Sequence, residues 1–151
     1  MAIVRTAGTE ILRTVHLEDV PNVETNLIYG EQHHIYTVLS ITVHCINLGA
    51  ANDYIVCKVY GWDSYAGASG QYMNIFQQDM NIGQTFVWND KFSFNGFEPL
   101  GSAMSGAITT SAEQNAIADQ GGAVAQKLTI QGEASADRFD ITCTYIDQNN
   151  A

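Results

Sequence analysis

Charged residues are scarce in this 151-residue chain. They make up 15% of the sequence, whereas an average soluble domain has about 25%. Asn, Gln, Ser, Thr, Gly and Ala stand in their place, and a surface built from them can be buried against neighbouring subunits without the cost of desolvating Lys or Glu. A neutral surface that stays in contact with water would have the same composition. The composition therefore agrees with an assembly surface without requiring one.

Basic residues are the rarest of the charged ones. Six Lys and Arg stand against sixteen Asp and Glu, which gives a net charge of -10 and leaves no basic cluster. Because phosphate contacts need concentrated Lys and Arg, we do not expect direct nucleic-acid binding. An acidic membrane surface would also repel the chain, so a membrane partner is not expected either.

Cysteine and long apolar runs are also few. Cys45, Cys57 and Cys143 show no CxxC spacing and fall on the apolar phase of predicted strands. We therefore expect buried free thiols rather than disulfides or zinc ligands. Residues 1–6 lack the apolar stretch of a signal peptide, and no run approaches the roughly 18 residues of a spanning helix. A soluble protein made in the cytoplasm is the expectation.

The strongest periodic signal lies between Ile35 and Cys45, where Ile35, Thr37, Leu39, Ile41, Val43 and Cys45 share one phase. Such alternation predicts a strand with one core face. Residues 54–60 alternate again after the turn-forming stretch 48–53, so the two segments predict an antiparallel hairpin. The last strand is predicted at 138–146, with its core face formed by Phe139, Ile141, Cys143 and Tyr145.

Further short β-rich runs occupy residues 71–76, 85–88, 92–94 and 126–130. Asn89 and Asp90 separate the second and third of these runs, and this turn pair predicts a second hairpin. The chain has only two prolines and almost no helical periodicity. Together these features predict an all-β fold, either an antiparallel β-sandwich or a jelly roll.

Two segments do not fit the predicted sheets. Residues 1–24 contain short β-like pieces separated by Gly, and we expect them to form an N-terminal arm, which leaves residues 25–151 as the β-sandwich domain. Within that domain, residues 101–122 form a long insertion rich in Gly, Ala and Ser. Only residues 111–119 of it could form a helix, about two turns long. Insertions of this kind are usually functional or mobile.

No catalytic, metal or cofactor constellation emerges from the sequence. His33 and His34 are adjacent and would point to opposite faces of a strand, so they are poorly placed to bind one ion with Glu31 or His44. We expect solvated edge histidines instead. No G-x-S-x-G, Walker or G-x-G-x-x-G motif is present. Five aspartates lie outside any calcium-loop spacing, and we interpret them as carboxylates of turns and strand ends. They are Asp63, Asp79, Asp90, Asp137 and Asp140.

Aromatic side chains are the strongest candidates for binding. Trp62 and Tyr65 lie in the Gly- and Ser-rich loop 61–70, with Tyr72 and Trp88 further along the chain. Exposed aromatics anchor interfaces or stack on sugars, although a Trp beside a turn also caps the edge of a core. The candidate interface joins the two loop aromatics to apolar residues of the insertion: Trp62, Tyr65, Met104, Ile108 and Ile117.

Three stretches resemble the small β-sandwich virion proteins of tailed bacteriophages. Residues 36–47, which include YTV and SITVHCIN and precede a Gly/Ala/Asn turn, are similar to that family's opening hairpin. Residues 83–87 (GQTFV) resemble its central strand, and residues 136–146 (ADRFDITCTYI) resemble its last strand. The resemblance covers roughly residues 25–147. Leu39 stands where the family usually carries Pro, and the 101–122 insertion is longer than expected.

The resemblance implies a structural component of the phage particle that has no catalytic residues and is made in the host cytoplasm. The implied role is a head decoration or cement protein that binds between capsid subunits as a homotrimer, with the major capsid protein or other virion proteins as partners. One alternative is a tail, neck or fibre component. A carbohydrate-binding module that uses Trp62, Tyr65 and Trp88 is an alternative from another class, and an enzyme would need a cleft with paired acid and base groups.

Overall fold

The structure is a computed structural model that describes residues 8–61, 71–97, 109–112, 114–115 and 125–149. Within these ranges no helix is long and apolar enough to cross a membrane. Ser111, Ala112, Gln114 and Asn115 are helical, inside the segment where a short helix was predicted. The strands are β1 (Thr9–Val20), β2 (Thr25–Tyr29), β3 (His34–Asn47), β4 (Tyr54–Tyr60), β5 (Tyr72–Asp79), β6 (Thr85–Trp88), β7 (Phe92–Asn95), β8 (Lys127–Gly132) and β9 (Arg138–Asn149).

The strands form two antiparallel sheets. Sheet 1 has the order β1-β9-β3-β6 with β7 also paired to β3, and sheet 2 has the order β2-β8-β4-β5. Because β6 and β7 pair with successive parts of β3, they act as two halves of one strand. Counted so, the first strand pairs with the last, the second with the next to last, and so on inward. This order is that of a jelly roll and confirms the predicted all-β class.

Both predicted hairpins are wrong. β3 and β4 lie in different sheets, so the turn at residues 48–53 carries the chain across the sandwich. β6 and β7 each pair with β3 and not with each other. Turn residues and alternation look alike in a hairpin and in a short crossover between sheets, because each strand needs only one apolar face in either case. The choice between the two is made by packing across the core.

The core lies between the sheets and is built from one phase of each strand. In β9 the predicted phase is confirmed, since Phe139, Ile141, Cys143 and Tyr145 are all buried. In β3 the predicted core phase is correct only from Ile41 onward, because the register with β9 shifts between Val38 and Ser40. This bulge reverses the alternation, so that Tyr36 and Val38 are buried in place of Ile35 and Thr37. The three cysteines are buried free thiols, as predicted.

Half of the segment predicted to be an arm, residues 9–20, is an edge strand. β1 pairs with β9 over nearly its whole length, and Val15 and Leu17 pack against the core. β2, which the sequence pattern did not predict, pairs with β8. A role for residues 1–24 as an arm stays a prediction, as do the domain division at residue 25 and the role of the 101–122 insertion, much of which lies outside the described residues.

One buried aspartate joins two crossovers at the same end of the sandwich. Asp137 accepts hydrogen bonds from the backbone N–H of Gly49 at 2.8 Å, of Glu133 at 3.1 Å and of Ala134 at 2.8 Å. Gly49 belongs to the β3–β4 connection, whereas Glu133 and Ala134 belong to the β8–β9 connection. Asp53, close by, accepts from the N–H of Ala50 at 2.8 Å. The structural role expected for Asp137 agrees with these contacts.

Candidate functional site

The candidate interface residues Trp62, Tyr65, Met104, Ile108 and Ile117 lie outside the described residues, so their role stays a prediction. The two other aromatics named from the sequence are described. Trp88 packs against the core, with its ring centroid 5.7 Å from that of Phe76. It is therefore not the exposed stacking surface that a carbohydrate-binding module would need. Tyr72, on β5, is 56% exposed.

The histidines do not gather into a metal site. No group of three or more His, Cys, Asp and Glu side chains in the described part of the chain could hold a metal ion. His44 is exposed, and its Nδ1 lies 2.8 Å from Thr85 Oγ1. His34 differs from the expected solvated histidine, because its side chain is only 17% exposed and its Nδ1 lies 2.6 Å from Asp147 Oδ1. His34 therefore has a structural role in the sheet.

Asp147 is the centre of a charged cluster that the sequence analysis missed. Arg13 Nη1 donates a hydrogen bond to Asp147 Oδ2 at 3.0 Å, and this bond raises the pKa of Arg13. Arg13 and His34 come from β1 and β3, the strands on either side of β9, so one carboxylate ties three strands together. A signal was present in the sequence, since Asp147 continues the buried phase of β9 two residues beyond Tyr145. Buried carboxylates need such partners.

The thiols are not suited to nucleophilic chemistry. Burial raises the pKa of Cys143 to about 12. Burial also raises the pKa of Cys57 and of Cys45 above the ordinary thiol value. Because the thiolate is the reactive form, these side chains serve as small apolar groups of the core at neutral pH.

The outer face of sheet 1 is a broad surface poor in charge. Its charged side chains, Glu10, Glu18, Arg138 and Asp140, lie towards its two ends, and the rows between contain no Asp, Glu, Lys or Arg. The strand register sets side chains in rows across the sheet. The three central rows are Leu12–Ile146–Thr37–Ser93, Thr14–Thr144–Ser40 and His16–Thr142–Thr42–Val87.

Several hydroxyl groups on this outer face bond across the strands, either to another hydroxyl or to a histidine ring. The cross-strand pairs are Thr14 with Thr144 at 3.4 Å, His16 with Thr142 at 2.9 Å, and Thr37 with Ser93 at 2.9 Å. A polar group that has a partner inside the protein loses less when water is removed than an unpaired one does. Another protein surface can therefore cover this face at a small desolvation cost.

The two edges of sheet 1 are open in the ranges that the structure describes. β1 pairs with β9 alone, and β6 and β7 pair with β3 alone. β6 and β7 contain no charged residue, and Val87 on β6 is exposed. An edge without charge or proline can pair with a strand of another chain. β1 is better protected, since it carries Glu10, Arg13, Glu18 and Asp19 around the exposed Leu12.

The outer face of sheet 2 carries an ordered cluster around Glu24. The Tyr60 hydroxyl donates to Glu24 Oε2 at 2.6 Å, and the Nζ atoms of Lys58 and Lys127 each lie 3.9 Å from a Glu24 carboxylate oxygen. Lys58 Nζ also lies 4.7 Å from the centre of the Tyr72 ring. Burial and the hydrogen bond to Glu24 raise the pKa of Tyr60 to about 12, so the phenol remains a donor at neutral pH. The cluster holds Lys58 and Tyr72 in place.

Comparison with known proteins assigns no family. No family model matches the sequence, and no curated protein does. Among solved structures, that of Bacillus endospore appendages, described as disulfide-linked pili, has 10% identity and a TM-score of 0.42 over 100% of this chain and 97% of that chain. That of infectious bursal disease virus, Gx strain, has 7% identity and a TM-score of 0.46 over 97% of this chain and 34% of that chain.

A third similar structure is the empty head of turnip yellow mosaic virus, with 12% identity and a TM-score of 0.33 over 100% of this chain and 86% of that chain. This chain spans about a third of the length of the infectious bursal disease virus chain described above. All three TM-scores are below 0.5, so neither the fold nor a function is based on these likenesses. The jelly-roll assignment rests on the strand pairing alone.

Proposed function

We propose that this protein is a non-enzymatic structural subunit of a virus particle and acts as a cement or decoration protein on the head of a tailed bacteriophage. The observation that carries the proposal is the outer face of sheet 1. Its central rows contain no Asp, Glu, Lys or Arg, four of its hydroxyls form two cross-strand pairs, and it adjoins the β6 and β7 strands, which contain no charged residue. The sequence resemblance to small virion β-sandwich proteins supports the setting.

The size of this face predicts how the subunit binds. With strands about 4.8 Å apart and about 3.3 Å per residue, four strands over about nine residues present roughly 400–600 Å². A stable interface covers about 800 Å² on each partner. One contact through this face is therefore too small by itself, and the subunit needs several contacts at once. A homotrimer seated at a junction between capsid subunits would supply them.

A charge placed in the centre of the face tests the proposal. Thr144 lies in the middle row and points away from the core, so Thr144→Lys should leave the fold intact. Burial of an unpaired ammonium costs several kcal/mol, and we expect at least about a tenfold loss of particle-bound protein. Asn26→Lys places the same charge on β2 of sheet 2, at an exposed position. This control should bind as the wild type does.

The assay uses phage heads produced without this gene product, mixed with each purified protein and separated by density-gradient centrifugation. Circular dichroism checks that both variants are folded. Wild-type protein that fails to bind heads would contradict the cement role, and binding to isolated tails instead would favour the tail, neck or fibre alternative. If Thr144→Lys binds as well as Asn26→Lys, the outer face of sheet 1 is not the contact.

A further inference from the structure

A groove runs along the outer face of sheet 2, on the other side of the sandwich from the proposed assembly face. It has a volume of about 360 Å³ and lies over β4, β5 and β8. Small-ligand sites have volumes of about 300–1,000 Å³, so the groove is at the lower end of that range. The residues that give it its chemistry are Tyr54, Lys58, Tyr72, Asn74, Gln77 and Glu133.

Two primary amides of the groove have their hydrogen-bonding groups available. Asn74 and Gln77 are exposed on β5, and within the described residues neither side chain is bonded to another group of the protein. Gln131, beside them, donates through Nε2 to the Asn22 carbonyl at 2.7 Å, which directs its side chain. Each free amide offers two donors and one acceptor oxygen. This combination matches neighbouring hydroxyl groups, which both donate and accept.

Two tyrosines lie at opposite ends of the groove. Tyr54 begins β4, and Tyr72 pairs with Tyr60 at the other end of that strand, a distance of about 20 Å at about 3.3 Å per residue. The Tyr72 ring is held by Lys58 Nζ at 4.7 Å and by the Tyr60 ring at 5.3 Å between centroids, and it remains 56% exposed. An aromatic ring packs on the apolar C–H face of a sugar while polar groups bind the sugar's rim.

We propose that this groove binds a neutral oligosaccharide that lies along β4 and β5, with a sugar ring on Tyr72 and hydroxyls on Asn74 and Gln77. An extended ligand fits the spacing of the two tyrosines better than a single sugar does. A neutral ligand fits the charges, because Lys58 is balanced by Glu24 and the chain as a whole carries a net charge of -10, which repels anionic glycans.

Calorimetric titration of the full chain with maltotriose, cellotriose and chitotriose tests the proposal. We expect at least one of the three to bind with a Kd of about 1 mM or tighter. Tyr72→Ala should weaken that binding at least about tenfold, and Asn74→Ala should weaken it about threefold to tenfold. Tyr29→Ala is the matched control, because Tyr29 is a 62% exposed tyrosine on β2 that does not line the groove. This variant should bind as the wild type does.

The proposal is overturned if none of the three sugars binds at about 10 mM. It is also overturned if Tyr72→Ala and Asn74→Ala bind sugar as tightly as the wild type. If these two variants lose attachment to phage heads while no sugar binds, the groove contacts a protein instead. Thr144→Lys, on the opposite face, should keep full sugar affinity, so failure of the assembly proposal and failure of this one can be told apart.

Discussion

Replacement of Asp137 by Ala should lower the free energy of unfolding by about 2–4 kcal/mol. The carboxylate accepts three backbone N–H groups, at 2.8, 3.1 and 2.8 Å, and its side chain is fully buried. A hydrogen bond to a charged group contributes about 1.5–3 kcal/mol. Each bond here should contribute less, about 1 kcal/mol, because Gly49 and Glu133 are exposed residues and water can replace part of what their amides lose.

Urea denaturation followed by tryptophan fluorescence measures this loss. With an m-value of about 2 kcal/mol per M, the midpoint should fall by about 1–2 M. Asp140→Ala is the control, because Asp140 is only partly buried and accepts one backbone bond, from Asp19 at 3.1 Å. Asp140→Ala should lower the free energy of unfolding by less than about 1 kcal/mol. Faster hydrogen exchange at Gly49 and Ala134 should accompany the Asp137 loss. Equal midpoints for the two variants would refute the assignment of Asp137 as the joint between the crossovers.

Three further predictions concern buried groups. The thiols should not react with a thiol reagent until denaturant is added, because burial raises the pKa of Cys143 to about 12; prompt reaction in the native protein would contradict their burial. The hydrogen bond from the Ala50 amide lowers the pKa of Asp53. Burial and the neighbouring Asp137 raise that pKa by a larger amount, so the net shift is upward. Stability from Asp53 is therefore lost as pH rises through the folded pKa. The melting temperature of Asp53→Asn relative to wild type should rise as the pH increases above about 4; a constant difference would be contrary evidence. Gly96→Ala should prevent normal folding, since its Cβ would lie 1.8 Å from the Glu31 carbonyl oxygen. Gly83→Ala has open space and should cost only about 1 kcal/mol for its positive φ, so equal soluble yields of the two would argue against the close approach at Gly96.

The sequence was sufficient to predict the all-β class, because alternation is a property of each strand by itself. The last strand shows this well, since each of its predicted core residues is buried. Alternation contains no record of which strand pairs with which. The turn at residues 48–53 was therefore interpreted as a hairpin, although it carries the chain between sheets. A bulge such as the one between Val38 and Ser40 also leaves no clear mark in the pattern, and it reversed the predicted face of Tyr36.

The candidate surfaces could be predicted only in part. The polar phase of β9 was identified correctly, so Thr142 and Thr144 were expected to face outward. These threonines form charge-free rows with residues of β1 and β3 because of the register between the strands, and the sequence pattern does not predict that register. The groove on sheet 2 needs residues from three strands that are far apart in the sequence. Tyr72 alone was named in advance, because an aromatic next to a glycine-rich loop is visible without the fold.

Electron cryomicroscopy of phage particles that carry this gene tests the central claim most directly. The account predicts jelly-roll density at repeating positions on the head, with the outer face of sheet 1 covered by a neighbouring subunit and Thr144 inside the contact. Particles that lack the protein, or that carry it with this face open to solvent, would contradict the account.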